Sequence, residues 1–231
     1  MVRSLQAELV DELPPEHPEA IKTRRDLRKI NTLMGHTGIL ARALDSVTSA
    51  GREVRIIEIG AGDGEMFLRV AQRLAGKSRG ADVTFVDLQD LLRDQTKAAF
   101  AALAWRVRSV KSDVLQWMSE TAGERGDVII ANLFLHHFSD AQLSNLFSLA
   151  AKKADALVAL EPRRAGWPLF CARALALIGF GPVTCHDAPI SVQAGFTGRE
   201  LSALWPQNGT WELTERRAGL FSHLFIARRK D

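Results

Sequence analysis

Three places along the 231-residue chain combine residue types that can do chemistry. The first is Glu58-Ile59-Gly60-Ala61-Gly62-Asp63-Gly64, which ends a β-branched run and opens a helical pattern at Glu65. Glycines at such a junction let the backbone turn tightly and leave no side chain in a ligand's way. The spacing is GxGxG. A nicotinamide fingerprint needs its third glycine where Glu65 stands, so a dehydrogenase is disfavoured. The second place is Asp87, which closes Val83-Thr84-Phe85-Val86-Asp87. A carboxylate there can accept from both hydroxyls of a ribose, each charge-assisted bond contributing roughly 1.5–3 kcal/mol. That supports a nucleoside without choosing among cofactors. The third place is Asn132-Leu133-Phe134-Leu135-His136-His137-Phe138. An imidazole with a pKa near its ordinary 6.5 is a candidate general base toward a hydroxyl or phenol, and the rate would then rise with pH through that value. Only one of two adjacent histidines is expected to face a substrate. The alternative is that both shape the loop.

These residues need elements to position them, and the chain supplies a βα alternation. Strand patterns cover Val54–Ile59, Val83–Asp87, Arg106–Lys111, Asp127–Ala131 and Ala156–Leu160, with helical patterns at Glu65–Ala75, Leu91–Ala104, Val114–Thr121 and Asp140–Lys152. That rhythm predicts a parallel sheet with helices on both faces. The chemical residues then fall at carboxyl ends of strands, where open parallel sheets bind ligands. Toward the end, a helix around Gly166–Ile178 leads into a Gly/Pro-rich stretch, Gly179–Gly198, and a short helix near Arg199–Trp205. Trp211–Arg217 and Phe221–Arg228 pattern as a hairpin across Ala218-Gly219.

Before the alternation, residues 1–18 read as a loose, proline-bearing arm. A helical pattern follows from Glu19 to about Val47, with Ile21, Leu27, Ile30, Leu33 and Met34 as its apolar stripe and breaks expected at Gly35 and Gly38. Lys22, Arg24, Arg25, Arg28 and Lys29 occupy its other face, read as solvated, with an anion or nucleic-acid groove as the alternative. The expected organisation is an arm and helical cap over residues 1–50, then a catalytic domain over 51–231 with a substrate-side insertion at about 162–208.

In this order the motifs resemble those of the class I S-adenosylmethionine-dependent methyltransferases, by motif over about Val54–Leu160 and by topology to the chain end. The resemblance implies an α/β fold: a Rossmann-like seven-stranded, mostly parallel sheet with an antiparallel C-terminal hairpin, under the N-terminal helical cap. It implies S-adenosyl-L-methionine as cofactor, with Glu58, Gly60, Ala61 and Gly62 at its methionyl part and Glu58 ordering the loop and the ammonium side. Asp87 would take the ribose, Leu88 would lie against the adenine, and Asp113 and Val114 would meet the adenine edge, Asp113 accepting from the exocyclic amine. Asn132 would complete the cofactor contacts, leaving His136 and His137 as the catalytic candidates. Amine-methylating nucleic-acid enzymes of the family carry a proline pair where Leu133-Phe134 stand here, whereas Leu-His-His suits small-molecule members. There is also a loose resemblance to bacterial methyltransferases associated with type III polyketide synthases. The implied reaction is methylation, preferably on oxygen, of a small aromatic or polyketide-like acceptor. The alternatives are a cofactor-binding protein without transfer, and an RNA methyltransferase using Lys22–Lys29.

Composition sets outer limits. Hydrophobic residues at 46% and charged residues at 25% suit an ordered globular chain, and a net charge of +3 does not by itself nominate nucleic acid. Cys171 and Cys185 form no CxxC, the six histidines form no HExxH, and no metal site is expected. The most apolar run, Leu169–Gly181, is interrupted by Arg173 and is too short to span a bilayer; with no leader pattern, a cytoplasmic location is expected. Gly76-Lys77-Ser78 imitates a phosphate loop, but Ala71 stands where its first glycine belongs. In the insertion, Trp167, Phe170, Phe180 and Phe196 are candidates for an apolar acceptor wall, with core packing as the commoner role, and Arg163 or Arg164 for pairing an acidic acceptor group.

Overall fold

The computed structural model describes residues 1–48, 52–75, 80–121 and 124–230, so Gly76-Lys77-Ser78 and the expected boundary at residues 50–51 lie outside the described residues. Three helices come first, α1 (Leu9–Glu12), α2 (Pro18–Leu33) and α3 (His36–Val47). The alternation then runs β1 (Val54–Ile59), α4 (Glu65–Leu74), β2 (Ala81–Asp87), α5 (Asp94–Ala101), β3 (Trp105–Lys111), α6 (Val114–Glu120), β4 (Val128–Asn132), α7 (Asp140–Lys153) and β5 (Ala156–Pro162). After β5 come α8 (Gly166–Arg173), a 3₁₀ turn (Leu175–Ile178), α9 (Pro182–Ala194), α10 (Glu200–Leu204) and the hairpin β6 (Trp211–Ala218) and β7 (Ser222–Arg229).

The strands form one sheet in the order β3-β2-β1-β4-β5-β7-β6. The first five are parallel, and β7 enters antiparallel between β5 and β6. Successive residues of the central strands serve opposite faces, as a period of two requires. Ile56, Val83, Phe85, Ile130 and Val158 pack with Phe67 and Phe100, while Ile57, Val86, Ile129 and Leu157 pack with Phe147, Trp205 and Phe225. Burial on both faces explains why these strands read as continuous apolar runs.

The structure corrects four expectations. Gly179–Gly198 is mostly helix: Pro182 stands in the first turn of α9, where its missing N–H costs nothing, and Asp26 of α2 accepts from Gly181 N–H at 2.8 Å and from the Thr184 hydroxyl at 3.2 Å. Only Gly35, with φ +69°, breaks the early helical pattern, and Gly38 lies inside α3. The Leu91–Ala104 helix shortens to α5, with residues 91–93 outside it and a turn over residues 102–104. The arm is not loose, because Arg3 donates to the carbonyls of Ala194 (2.8 Å) and Phe138 (2.7 Å) and to Asp140 (2.8 Å), and its guanidinium lies 4.5 Å over the Phe196 ring.

The two-faced core makes a specific prediction. Ile56→Val and Ile129→Val each remove one buried methylene, from opposite faces, and should each cost about 0.5–1.5 kcal/mol in urea unfolding. The double variant should equal their sum to within about 0.5 kcal/mol. A larger departure would mean that the two faces are not independent.

Candidate active site

The sheet reverses its winding between β1 and β4, so the loops after these strands diverge and leave a crevice between them. A cavity of about 1020 Å³ lies there, reached by the β1, β2 and β4 loops, α1, α2, α8 and α9. Helices α1 and α2 from the start of the chain and α8 and α9 from after β5 therefore roof it together. Leu27, Ile30, Leu33 and Met34 of the α2 stripe line this cavity, while the residues α2 buries are Ala20, Thr23, Asp26 and Asn31.

At one end the glycine loop is tied to β2. Gly60 N–H donates to Val86 O at 2.9 Å and Gly62 N–H to Asp87 Oδ2 at 2.9 Å, while Asp87 Oδ1 accepts from Gln89 N–H at 2.9 Å. Gly60 has φ +66°, and a Cβ there would lie 2.1 Å from the Phe134 ring. Gly62 has φ +56°, and a Cβ there would meet nothing within 4 Å. Glu58 is buried with Oε2 unpartnered. Burial first, and then the charges of Asp87 and Asp63, push its carboxyl well above the usual range. Leu88 is exposed at the rim, Val114 is buried, and Asp113 caps α6 by accepting from Gln116 N–H at 2.9 Å. Asn132 is held from behind: His36 Nδ1 lies 2.9 Å from its Oδ1, and His36 Nε2 lies 2.8 Å from Ser222 Oγ. Burial lowers His36 to about 4 and keeps it neutral.

These residues fit S-adenosylmethionine. An orphaned buried acid is what a cationic amino-acid moiety would neutralise, and the space facing Gly62 is what a ligand would fill. The Asp87 oxygens keep lone pairs for a ribose beyond those given to the loop.

At the other end, one carboxylate organises the loop after β4. Glu161, wholly buried at the end of β5, accepts from Phe134 N–H (3.1 Å), Leu135 N–H (2.9 Å) and His136 N–H (3.3 Å), and pairs with His136 Nδ1 at 2.8 Å. These bonds hold a 3₁₀ turn, Leu135–His137, entered through Leu133 at φ +54°. The other ring nitrogen of His136 faces Glu8 of the arm at 3.4 Å, and Glu8 also accepts from the Ser191 hydroxyl. Burial opposes a charge on His136, but the bonds and charges of Glu161 and Glu8 outweigh it and raise the pKa to about 9. His137, whose side chain keeps 29% of its surface open, goes the other way: burial of the rest and the neighbouring His136 cation lower it to about 4. Its Nδ1 lies 3.6 Å from Asp11. Asp187 fastens α1 by accepting from Leu9 and Val10 N–H at 2.9 and 3.1 Å.

The structure thus brings Glu58, Gly60, Ala61, Gly62, Asp87, Leu88, Asp113, Val114, Asn132, His136 and His137 around one cavity. Of the aromatic candidates, only Phe170 lines it; Phe196 is core, and Trp167 projects outward. Arg164 does not await an acceptor, because its guanidinium is spent on Met1 O, Gly195 O and Glu200. Glu8, His136 and His137 bring three metal-capable atoms within 4.8 Å, a grouping the motif reading had no means of finding. There the His136 cation already supplies the positive charge that two carboxylates require. Sequence reasoning missed the roles of Glu161, Glu8 and His36. Only Glu161 leaves a signal, as an acid inside a run that is otherwise wholly apolar.

Residues 56–153 match the family model described as a methyltransferase domain. No curated protein sequence matches the chain. Among solved structures, the plantazolicin methyltransferase BpumL, in complex with a triazolic desmethylPZN analog and SAH, aligns with TM-score 0.64 and 13% identity over 93% of this chain and 92% of that one. An O-methyltransferase family protein from Burkholderia thailandensis aligns with TM-score 0.62 and 16% identity over 92% and 60%. The pyocyanin biosynthetic protein PhzM gives 0.59 and 17% over 97% and 62%. The chain thus spans less than two thirds of the length of the last two, and at these identities the likeness is one of fold. Residues 56–153 thus carry a methyltransferase domain, set in the fold that the aligned methyltransferases share. Among the described residues, no helix is long and apolar enough to cross a membrane.

The buried cation sets a pH dependence. With a folded pKa near 9 against an ordinary 6.5, His136 contributes stability that is complete below pH 6.5 and lost as pH rises through 9. Glu8, held below its ordinary 4.5 despite burial, contributes stability complete above that value and lost as pH falls. The urea midpoint of the wild type should therefore fall between about pH 6.5 and 9.5, while His136→Gln should stay flat there. Parallel profiles would contradict the assignment.

Proposed function

We propose that the protein methylates a hydroxyl of a small, largely apolar acceptor, with His137 as the base and His136 as a positioning residue. The observation that supports this reading is that one cavity joins the unpartnered Glu58 and the Gly62 opening at one end to a neutral imidazole at the other. When bound, S-adenosylmethionine supplies an electrophilic methyl group on a sulfonium. Glu58, Gly60, Gly62 and Asp87 would hold it, with Leu88, Asp113 and Val114 on the side of its adenine.

The chain's remaining task is to seat the acceptor and take its proton. His136 is charged at neutral pH and has both ring nitrogens engaged, so it accepts no proton. His137 is unprotonated throughout the physiological range and lines the cavity. Its low pKa makes it a weak base, so positioning carries much of the acceleration and the base contributes at the lower end of its usual range. The rate limb expected near pH 6.5 from an ordinary histidine moves down to about 4. Val10, Ile30, Met34, Phe138 and Val192 make the acceptor end apolar, which favours an aromatic or alkyl body. An RNA acceptor draws less support, because Arg24, Arg28 and Lys29 are tied to Pro15 O, Asp63 and Asp26.

The test incubates the protein with methyl-labelled S-adenosylmethionine and a set of alkylated phenols and polyketide-like hydroxyaromatics. Labelled ether product is expected, with a rate flat from about pH 7 to 8.5, above the titration of Asp11, which burial raises to about 6. His137→Ala should lose about 10²-fold in kcat with unchanged affinity for S-adenosylhomocysteine. Binding of S-adenosylhomocysteine with no product from any acceptor would leave the cofactor-binding alternative standing. Losses below tenfold in His137→Ala would reduce the mechanism to positioning.

A further inference from the structure

Beside the cavity mouth the fold leaves large apolar side chains in solvent. Leu33 at the end of α2 is 72% exposed, and Trp167, Phe170, Leu177 and Ile178 of α8 and the following 3₁₀ turn are 58%, 63%, 87% and 67% exposed. Single exposed apolar residues are ordinary, but four on α8 and the 3₁₀ turn that follows it form a patch, and Leu33 stands on α2 at the same cavity. Trp167 and Phe170 stack with centroids 5.7 Å apart. Leu33, Phe170, Leu177 and Ile178 also line the cavity, so the patch and the cavity wall share residues.

The exposed charge of the segment that carries this patch is basic. Between Glu161 and Asp187 the sequence holds Arg163 and Arg173, the buried Arg164 that Glu200 neutralises, and no acid. The exposed Lys22 and Arg25 lie three residues apart on α2, with Lys29, paired to Asp26, one turn further on. They border the same segment: the Lys29 ammonium lies 5.6 Å from the Phe180 ring, and Lys22 flanks Gly181. Asp26, the acid among them, is buried under Gly181, Thr184 and Lys29.

We propose that this face docks on an anionic lipid surface and that the acceptor enters the cavity from it. The acceptor would be an amphiphile with a methylatable hydroxyl head and an apolar tail. Projecting Trp, Phe, Leu and Ile side chains can enter the boundary of the acyl region while lysines and arginines meet anionic headgroups. The projection of these side chains favours a deformable surface over a protein partner. The acceptor half of the proposal rests on the methyl-transfer reading; the docking half does not.

The full chain is sedimented with vesicles of phosphatidylcholine alone and of phosphatidylcholine mixed with phosphatidylglycerol. Binding is expected to the mixed vesicles and to weaken with salt. Trp167→Ser should lower it at least about tenfold. Lys22→Gln with Arg25→Gln should lower it roughly 25-fold, about fivefold per cation. None of these three residues lines the cavity, and circular dichroism checks that the variants fold. Trp167→Ser should slow methylation of a long-chain alkylphenol carried in mixed vesicles and leave that of a short soluble phenol unchanged; equal loss on both would overturn the entry route. No binding to either vesicle at low salt would overturn the docking. So would a concentration-dependent dimer that Trp167→Ser dissociates, which would assign the face to a second copy. Vesicle binding without methylation of any acceptor would uphold the docking and count against the methyl-transfer reading.

Discussion

Everything at the acceptor end depends on the buried carboxylate of Glu161. Three consecutive backbone N–H groups and one imidazole converge on its two oxygens, which fixes the turn after β4 without any regular ladder. The turn in turn fixes Phe134, whose ring occupies the space where a Cβ at Gly60 would stand. Gly60 is therefore glycine for two reasons, its positive φ and the ring against it, and the loops after β1 and β4 meet at that contact. A shift of the Glu161 clamp would move the cofactor loop as well as the histidines.

The same carboxylate sets the charges. With Glu161 on one side and Glu8 on the other, His136 gains more from its bonds and charged neighbours than it loses by burial, and it carries a proton to about pH 9. Burial, and then that cation, lower the pKa of His137 to about 4. Two identical side chains, adjacent in sequence and with rings 4.2 Å apart, are thereby driven in opposite directions. The arm takes part, since Glu8 completes the charge balance while Arg3 and Asp187 anchor the segment on either side of it.

What was legible in the sequence was local. Strand runs buried on both faces, the GxGxG junction and an acid closing β2 are patterns within a few residues, and the structure places them as expected. The hairpin was legible for the same reason. The roles of Glu161, Glu8, Asp26 and His36 were not, because each partner lies far along the chain and no spacing rule joins them. Helix α9 is hidden by the Gly and Pro residues in and around it, whereas its start is secured by Asp26 from a distant helix. A polar, proline-bearing arm reads as loose because composition says nothing about a guanidinium that finds carbonyls at the far end of the fold.

The central claim is that one loop holds a histidine cation beside a neutral histidine. Its most direct test is a nitrogen-15 NMR titration of the histidine rings, assigned with His136→Gln and His137→Gln. The account predicts that His136 keeps both ring nitrogens protonated up to about pH 9, and that His137 stays neutral down to about pH 4. If both rings titrated together near the ordinary 6.5, the clamp would not set their charges, and the account would be contradicted.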